Sequence, residues 1–162
     1  MGGAKMRLIS IAATVAILIP TASIAQTATG QFAVRAQVNA SCQVTPQDLN
    51  FGVYSSSSTA TAQTPLSVRC TPGSAVTISL SAGSSGNPQS RNMQNGSNNL
   101  NYQIYRDSAR TDPINTAGMA FQMSGGENTG QLKTWTLYGS VPANQFVAAG
   151  NYVDQILVTA QF

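Results

Sequence analysis

Residues 29–42 read TGQFAVRAQVNASC. Phe32, Val34, Ala36, Val38, Ala40 and Cys42 hold the even positions, while Gln31, Arg35, Gln37, Asn39 and Ser41 hold odd ones; only Ala33 is out of step. A period of two puts the apolar side chains on one face of a strand. The run lies close to the start of the chain, where segments are poorly ordered unless something ties them down. It therefore predicts a strand whose partner is either its own domain or another molecule.

What precedes it reads as an export leader. Lys5 and Arg7 stand before an apolar run at 8–19, followed by Pro20 and the small-residue stretch Ser23-Ile24-Ala25. A charged start, a short apolar centre and small residues at −3 and −1 describe a secretory signal peptide over 1–25, cut before Gln26. The apolar run falls well short of the ~20 residues that a membrane span needs. Removing Lys5 and Arg7 from the formal charge of +3 leaves +1. No basic cluster remains, so nucleic acid is not an expected partner.

Cys42 and Cys70 are the two cysteines. In an oxidising compartment an isolated pair most simply forms one disulfide. A metal site would want more ligands, and the chain has no His. Neither a metal nor a cofactor is expected.

Further along, residues 49–54 (LNFGVY) read as a short strand and 55–64 as a small, polar, flexible loop. Alternation returns at Leu66, Val68 and Cys70, and again at Val76, Ile78 and Leu80. Asn95-Gly96 marks a hairpin turn before the alternating Leu100, Tyr102 and Ile104. A weaker strand over 120–123, a longer one over 133–141 and a final one over 152–162 complete the set. In the last, Ile156, Val158, Ala160 and Phe162 face one way. Many short strands with regular turns predict an all-β antiparallel sandwich. A final strand with nothing after it predicts an open edge position, which invites pairing with another chain.

Chemistry has little to work with. Without His, the usual triads and most proton shuttles are missing, so an enzyme is not expected and no catalytic residue is assigned. Asp107 and Asp112 share a turn with Arg106 and Arg110, which reads as a solvated turn with local ion pairs. Tyr102, Tyr105, Trp135 and Tyr138 read as core or cross-strand packing more readily than as a ligand face.

The ordered set TGQFAVRAQVNASC, LNFGVY, LSVRC, SRNM, LNYQIYRD, YGSVPANQ and GNYVDQILVTAQF resembles the spore coat protein U domain, and within it the subunits of Csu-type (archaic) chaperone–usher pili. The resemblance implies an incomplete immunoglobulin-like antiparallel β-sandwich, lacking its last strand and completed by a donor strand from a neighbouring subunit. A periplasmic pilus chaperone would fill the gap first; an outer-membrane usher would then exchange it for the N-terminal strand of a like or related subunit. The expected division is a donor segment over 26–37, with Phe32, Val34 and Ala36 inserted, and a sandwich over 38–162 whose own first strand starts at Val38. The acceptor groove and chaperone contact would run along Tyr152, Ile156, Val158, Ala160 and Phe162. The implied function is a structural subunit of a cell-surface pilus, reached through the periplasm and serving adhesion and biofilm formation. The competing readings are a self-contained secreted coat or matrix protein and a carbohydrate-binding adhesin module.

Overall fold

The computed structural model describes residues 24–115 and 119–162. The expected leader at 1–25 thus lies almost wholly outside the described residues. The chain divides into two units, Met1–Ala36 and Gln37–Phe162. In the first, every described residue is exposed and none is in a strand.

The second unit is an all-β sandwich. Its strands are β1 (Cys42–Pro46), β2 (Ala60–Cys70), β3 (Val76–Leu80), β4 (Arg91–Asn95), β5 (Asn98–Tyr105), β6 (Phe121–Met123), β7 (Lys133–Val141) and β8 (Val158–Gln161). They form a five-stranded sheet in the order β1-β2-β7-β5-β4 and a three-stranded sheet in the order β6-β3-β8. Every pairing is antiparallel. The core is built from the alternating residues of both sheets: Leu66 and Val68 of β2, Ile78 and Leu80 of β3, Ile104 of β5, and Leu137 and Val141 of β7 are all buried. This is an incomplete immunoglobulin-like sandwich.

Cys42 and Cys70 form the expected disulfide. They face each other at the open end of the β1–β2 ladder, where Cys42 opposes Cys70. That register corrects one expectation. The domain's own first strand begins at Cys42, not at Val38, which is exposed. Beyond Cys70 the partner strand gives way to Thr71-Pro72-Gly73, so β2 offers no backbone for residues before Ser41 to pair with.

Other departures also turn on whether a neighbouring backbone is present, which alternation does not report. Residues 49–54 are not a strand. Gly52 takes a left-handed φ of 67°, and its N–H is capped by the Asn50 side chain at 2.8 Å. Leu49, Phe51 and Tyr54 nevertheless pack against the core. The expected loop at 55–64 ends early, because β2 already starts at Ala60 opposite Val141. Residues 91–95, too polar to read as a strand, form β4 by pairing with β5. The final strand is short: only Val158–Gln161 pairs with β3, and Val153 makes an isolated bridge to Gln94.

Candidate functional site

The sandwich is open along one flank. A cleft of about 1170 Å³ runs between residues 46–54 on one wall and residues 145–156 on the other. Its floor is the core itself: Leu80, Leu100, Ile104, Leu137 and Val141 reach it. The volume exceeds the 300–1,000 Å³ typical of small-molecule sites, and polar residues of the walls rim an apolar floor.

Both walls are short of backbone partners. Among the described residues, neither 49–54 nor 146–152 makes a backbone–backbone hydrogen bond. N–H and C=O groups without backbone partners beside an apolar floor are a template for adding a strand.

The first wall is seated by a missing side chain. At Gly139 of β7, an added Cβ would lie 2.6 Å from the Phe51 ring and 2.7 Å from Leu49 Cδ2. Glycine there lets both residues settle on the sheet. Tyr54 closes the end of this wall, its hydroxyl donating to the Pro142 carbonyl at 2.9 Å.

The second wall is held by Asp154. Its Oδ1 accepts the Ser84 N–H at 2.7 Å, and its Oδ2 accepts the Tyr102 hydroxyl at 2.6 Å. Burial, then the hydrogen bond to Asp154, push the Tyr102 hydroxyl far above its usual range. Behind Tyr102 lies Arg91, with 0% exposure. Its Nη1 donates to the carbonyls of Pro88 and Ile114 and to Gln103 Oε1, and its Nη2 to the Ser81 carbonyl. Burial lowers the Arg91 pKa, while the nearby Tyr102 and Asp154 raise it.

The residues expected to border the groove lie on this wall or just beyond it. Tyr152, Ile156, Val158 and Ala160 are half-buried against the core, alternating with exposed Val153, Gln155, Leu157 and Thr159. Tyr152, Ile156 and Val158 line the cleft, whereas Ala160 does not, and Phe162 is 55% exposed outside it. The expected donor residues Phe32, Val34 and Ala36 are exposed, Phe32 at 88% and Val34 at 85%. The roles of Arg91, Asp154 and Gly139 are not visible in the sequence. A lone Arg in SRNM and a lone Asp in YVDQ look like surface residues until the fold brings them to one place.

The Asp107–Asp112 turn is the solvated device expected of it. Arg106 pairs with Asp112 at 2.7 Å, and Asp107 accepts the Thr111 and Asp112 N–H groups at 3.0 and 2.8 Å.

A model of the Spore Coat Protein U domain matches residues 28–159. The chain belongs to the Spore Coat Protein U domain family. One similar solved structure is the pre-assembly complex of the chaperone CsuC and the tip adhesion subunit CsuE, from the archaic chaperone-usher Csu pili of Acinetobacter baumannii. The matched chain is 23% identical with a TM-score of 0.57, over 77% of the present chain. The present chain spans 40% of the length of that one, and the likeness shows a shared fold. No curated protein matches the chain. In this Spore Coat Protein U domain, then, the cleft is a gap in the sandwich, bounded by two stretches, 49–54 and 146–152, that make no backbone–backbone hydrogen bond.

Proposed function

We propose that the chain is a structural subunit of a chaperone–usher surface pilus, polymerised by donor-strand complementation. One observation carries the reading: a cleft with an apolar floor, walled by stretches 49–54 and 146–152 that make no backbone–backbone hydrogen bond, occurs in the same chain as an exposed, alternating segment outside any strand. Residues 26–37 of one subunit enter the cleft of the next, with Phe32, Val34 and Ala36 inward. Before assembly a periplasmic chaperone occupies the cleft, pairing along Tyr152, Ile156, Val158, Ala160 and Phe162. An outer-membrane usher then exchanges chaperone for subunit. The fibre stands on the cell surface and serves attachment and biofilm formation. No step makes or breaks a covalent bond in a substrate, so the reading is not that of an enzyme.

The energetics support a durable joint. Burying Phe32 and Val34 contributes ~1.5–3 kcal/mol each, and each added backbone hydrogen bond ~0.5–1.5 kcal/mol. The test uses mature protein purified from periplasm with a co-expressed cognate chaperone, run unboiled on SDS gels. A ladder of SDS-resistant multimers that vanishes on deleting residues 26–37 is the expected result. A soluble, chaperone-independent monomer that needs those residues in order to fold would overturn the reading.

A further inference from the structure

Most charged side chains of the described residues are engaged within the chain. Among the described residues, Arg106 pairs with Asp112, Asp107 bonds Thr111, Glu127 bonds Ser124, and Asp154 bonds Tyr102. Arg69 and Arg110 donate to the Gly130 and Gly139 carbonyls, both terminal nitrogens of Arg91 donate within the core while its Nε is left without a partner, and Lys133 lies 6.0 Å over the Trp135 ring. Arg35 and Asp48 have no hydrogen-bond, ion-pair or cation–π partner among the described residues, whereas Lys133, which also lacks a hydrogen-bond or ion-pair partner, lies over Trp135; Arg35 and Asp48 are both exposed.

Their positions complement each other. Arg35 is the one charged residue of the segment 26–41, and it falls on the polar face, between Val34 and Ala36. Asp48 lies on the rim of the cleft, ahead of half-buried Leu49 and Phe51 and in step with exposed Asn50. A strand laid along that wall with Val34 and Ala36 inward presents Arg35 outward, on the same side as Asp48. Opposite charges on one face of neighbouring strands attract, and like charges there repel.

We propose that Arg35 of one copy of this chain pairs with Asp48 of the next, so that the occupant of the cleft is a second copy and its register is set by this pair. The proposal rests on the donor-strand reading above. A one-residue slip would turn Phe32, Val34 and Ala36 outward; a two-residue slip preserves the parity and is discriminated only by side-chain pairs of this kind. A rim ion pair adds little affinity but guides encounter and alignment, so its signature is a rate that depends on salt.

The experiment follows multimer formation by the full mature chain on unboiled SDS gels, at low and high salt. It compares wild type, Arg35→Glu, Asp48→Lys, the double variant and the chain lacking residues 26–37. Each single charge reversal is expected to slow multimer formation about tenfold at low salt. The double reversal restores the wild-type rate, and high salt brings all four full-length chains together. Single variants as fast as wild type, or a double variant no faster than the singles, would overturn the pair while leaving strand donation standing. Multimers formed equally by the chain lacking 26–37 would overturn strand donation, and the pair with it.

Discussion

The Tyr102 hydroxyl donates to Asp154 Oδ2 across 2.6 Å, tying the floor of the cleft to its second wall. Asp154 is also bonded to the Ser84 N–H, so one carboxylate anchors a segment that has little other backbone support. Replacing Asp154 with Ala removes a charged acceptor from the Tyr102 hydroxyl and the Ser84 amide. A loss of ~1.5–3 kcal/mol is expected in urea unfolding, with faster hydrogen exchange confined mainly to residues 146–157.

The same bond gives the fold an alkaline limit. The Tyr102 hydroxyl ionises at an ordinary value of 10.0 in the unfolded chain and well above it in the fold, because of burial first and Asp154 second. The folded state therefore holds its proton longer than the unfolded state does. The stabilisation is fully present below pH ~10 and is lost as pH rises above it. Urea midpoints should be flat from this source at neutral pH and fall above pH 10; Tyr102→Phe should flatten the alkaline slope.

Arg91 is fully buried and satisfies four acceptors, three of them backbone carbonyls. Arg91→Met keeps much of the volume but leaves those acceptors without their donor. A destabilisation of ~3–5 kcal/mol is expected, read as a lower denaturant midpoint and a lower periplasmic yield. A change under ~1 kcal/mol would show that water takes over the acceptors.

Substitution at Phe32 is expected to separate assembly from folding. It is 88% exposed, so Phe32→Asp should leave the unfolding midpoint of the chaperone-bound subunit unchanged. Multimers on unboiled gels should disappear. Normal fibres from this variant would exclude Phe32 as an inserted residue.

The disulfide closes a loop with a sequence separation of 28. Replacing Cys42 and Cys70 together by Ser should cost ~3–4 kcal/mol in the chain-entropy account, read by urea unfolding and by protease resistance in the periplasm.

Legibility in the sequence followed the alternation of apolar residues. Leu66-Ser67-Val68, Val76-Thr77-Ile78 and Leu100-Asn101-Tyr102 announce core strands because period two fixes which side is buried, and the structure buries Leu66, Val68, Val76, Ile78, Leu100 and Tyr102. Alternation reports which face is apolar; it does not report whether a neighbour is present. Residues 152–157 therefore keep the alternating burial of a strand while Val158 is the first residue paired with β3. The polar β4 strand was illegible for the opposite reason: its partner exists, but its side chains carry no apolar signal. The cleft was legible only as a missing neighbour. Asp154 and Arg91, which hold its second wall and its floor, depend on contacts distant in sequence that no local pattern encodes.

Cys42 stands where the strand-free residues 24–41 meet the first strand of the sandwich, and it is bonded to Cys70 at the end of β2. In a fibre whose subunits are joined through those residues, a tensile load enters each domain at this point. A β1 edge held only by its ladder would peel away one hydrogen bond at a time. The covalent crosslink instead passes the load to β2, which is flanked by β1 and by nine paired positions of β7. Pulling would then shear a long central ladder along its length, so in the proposed fibre the mechanical strength would rest on a bond at the first residue of β1.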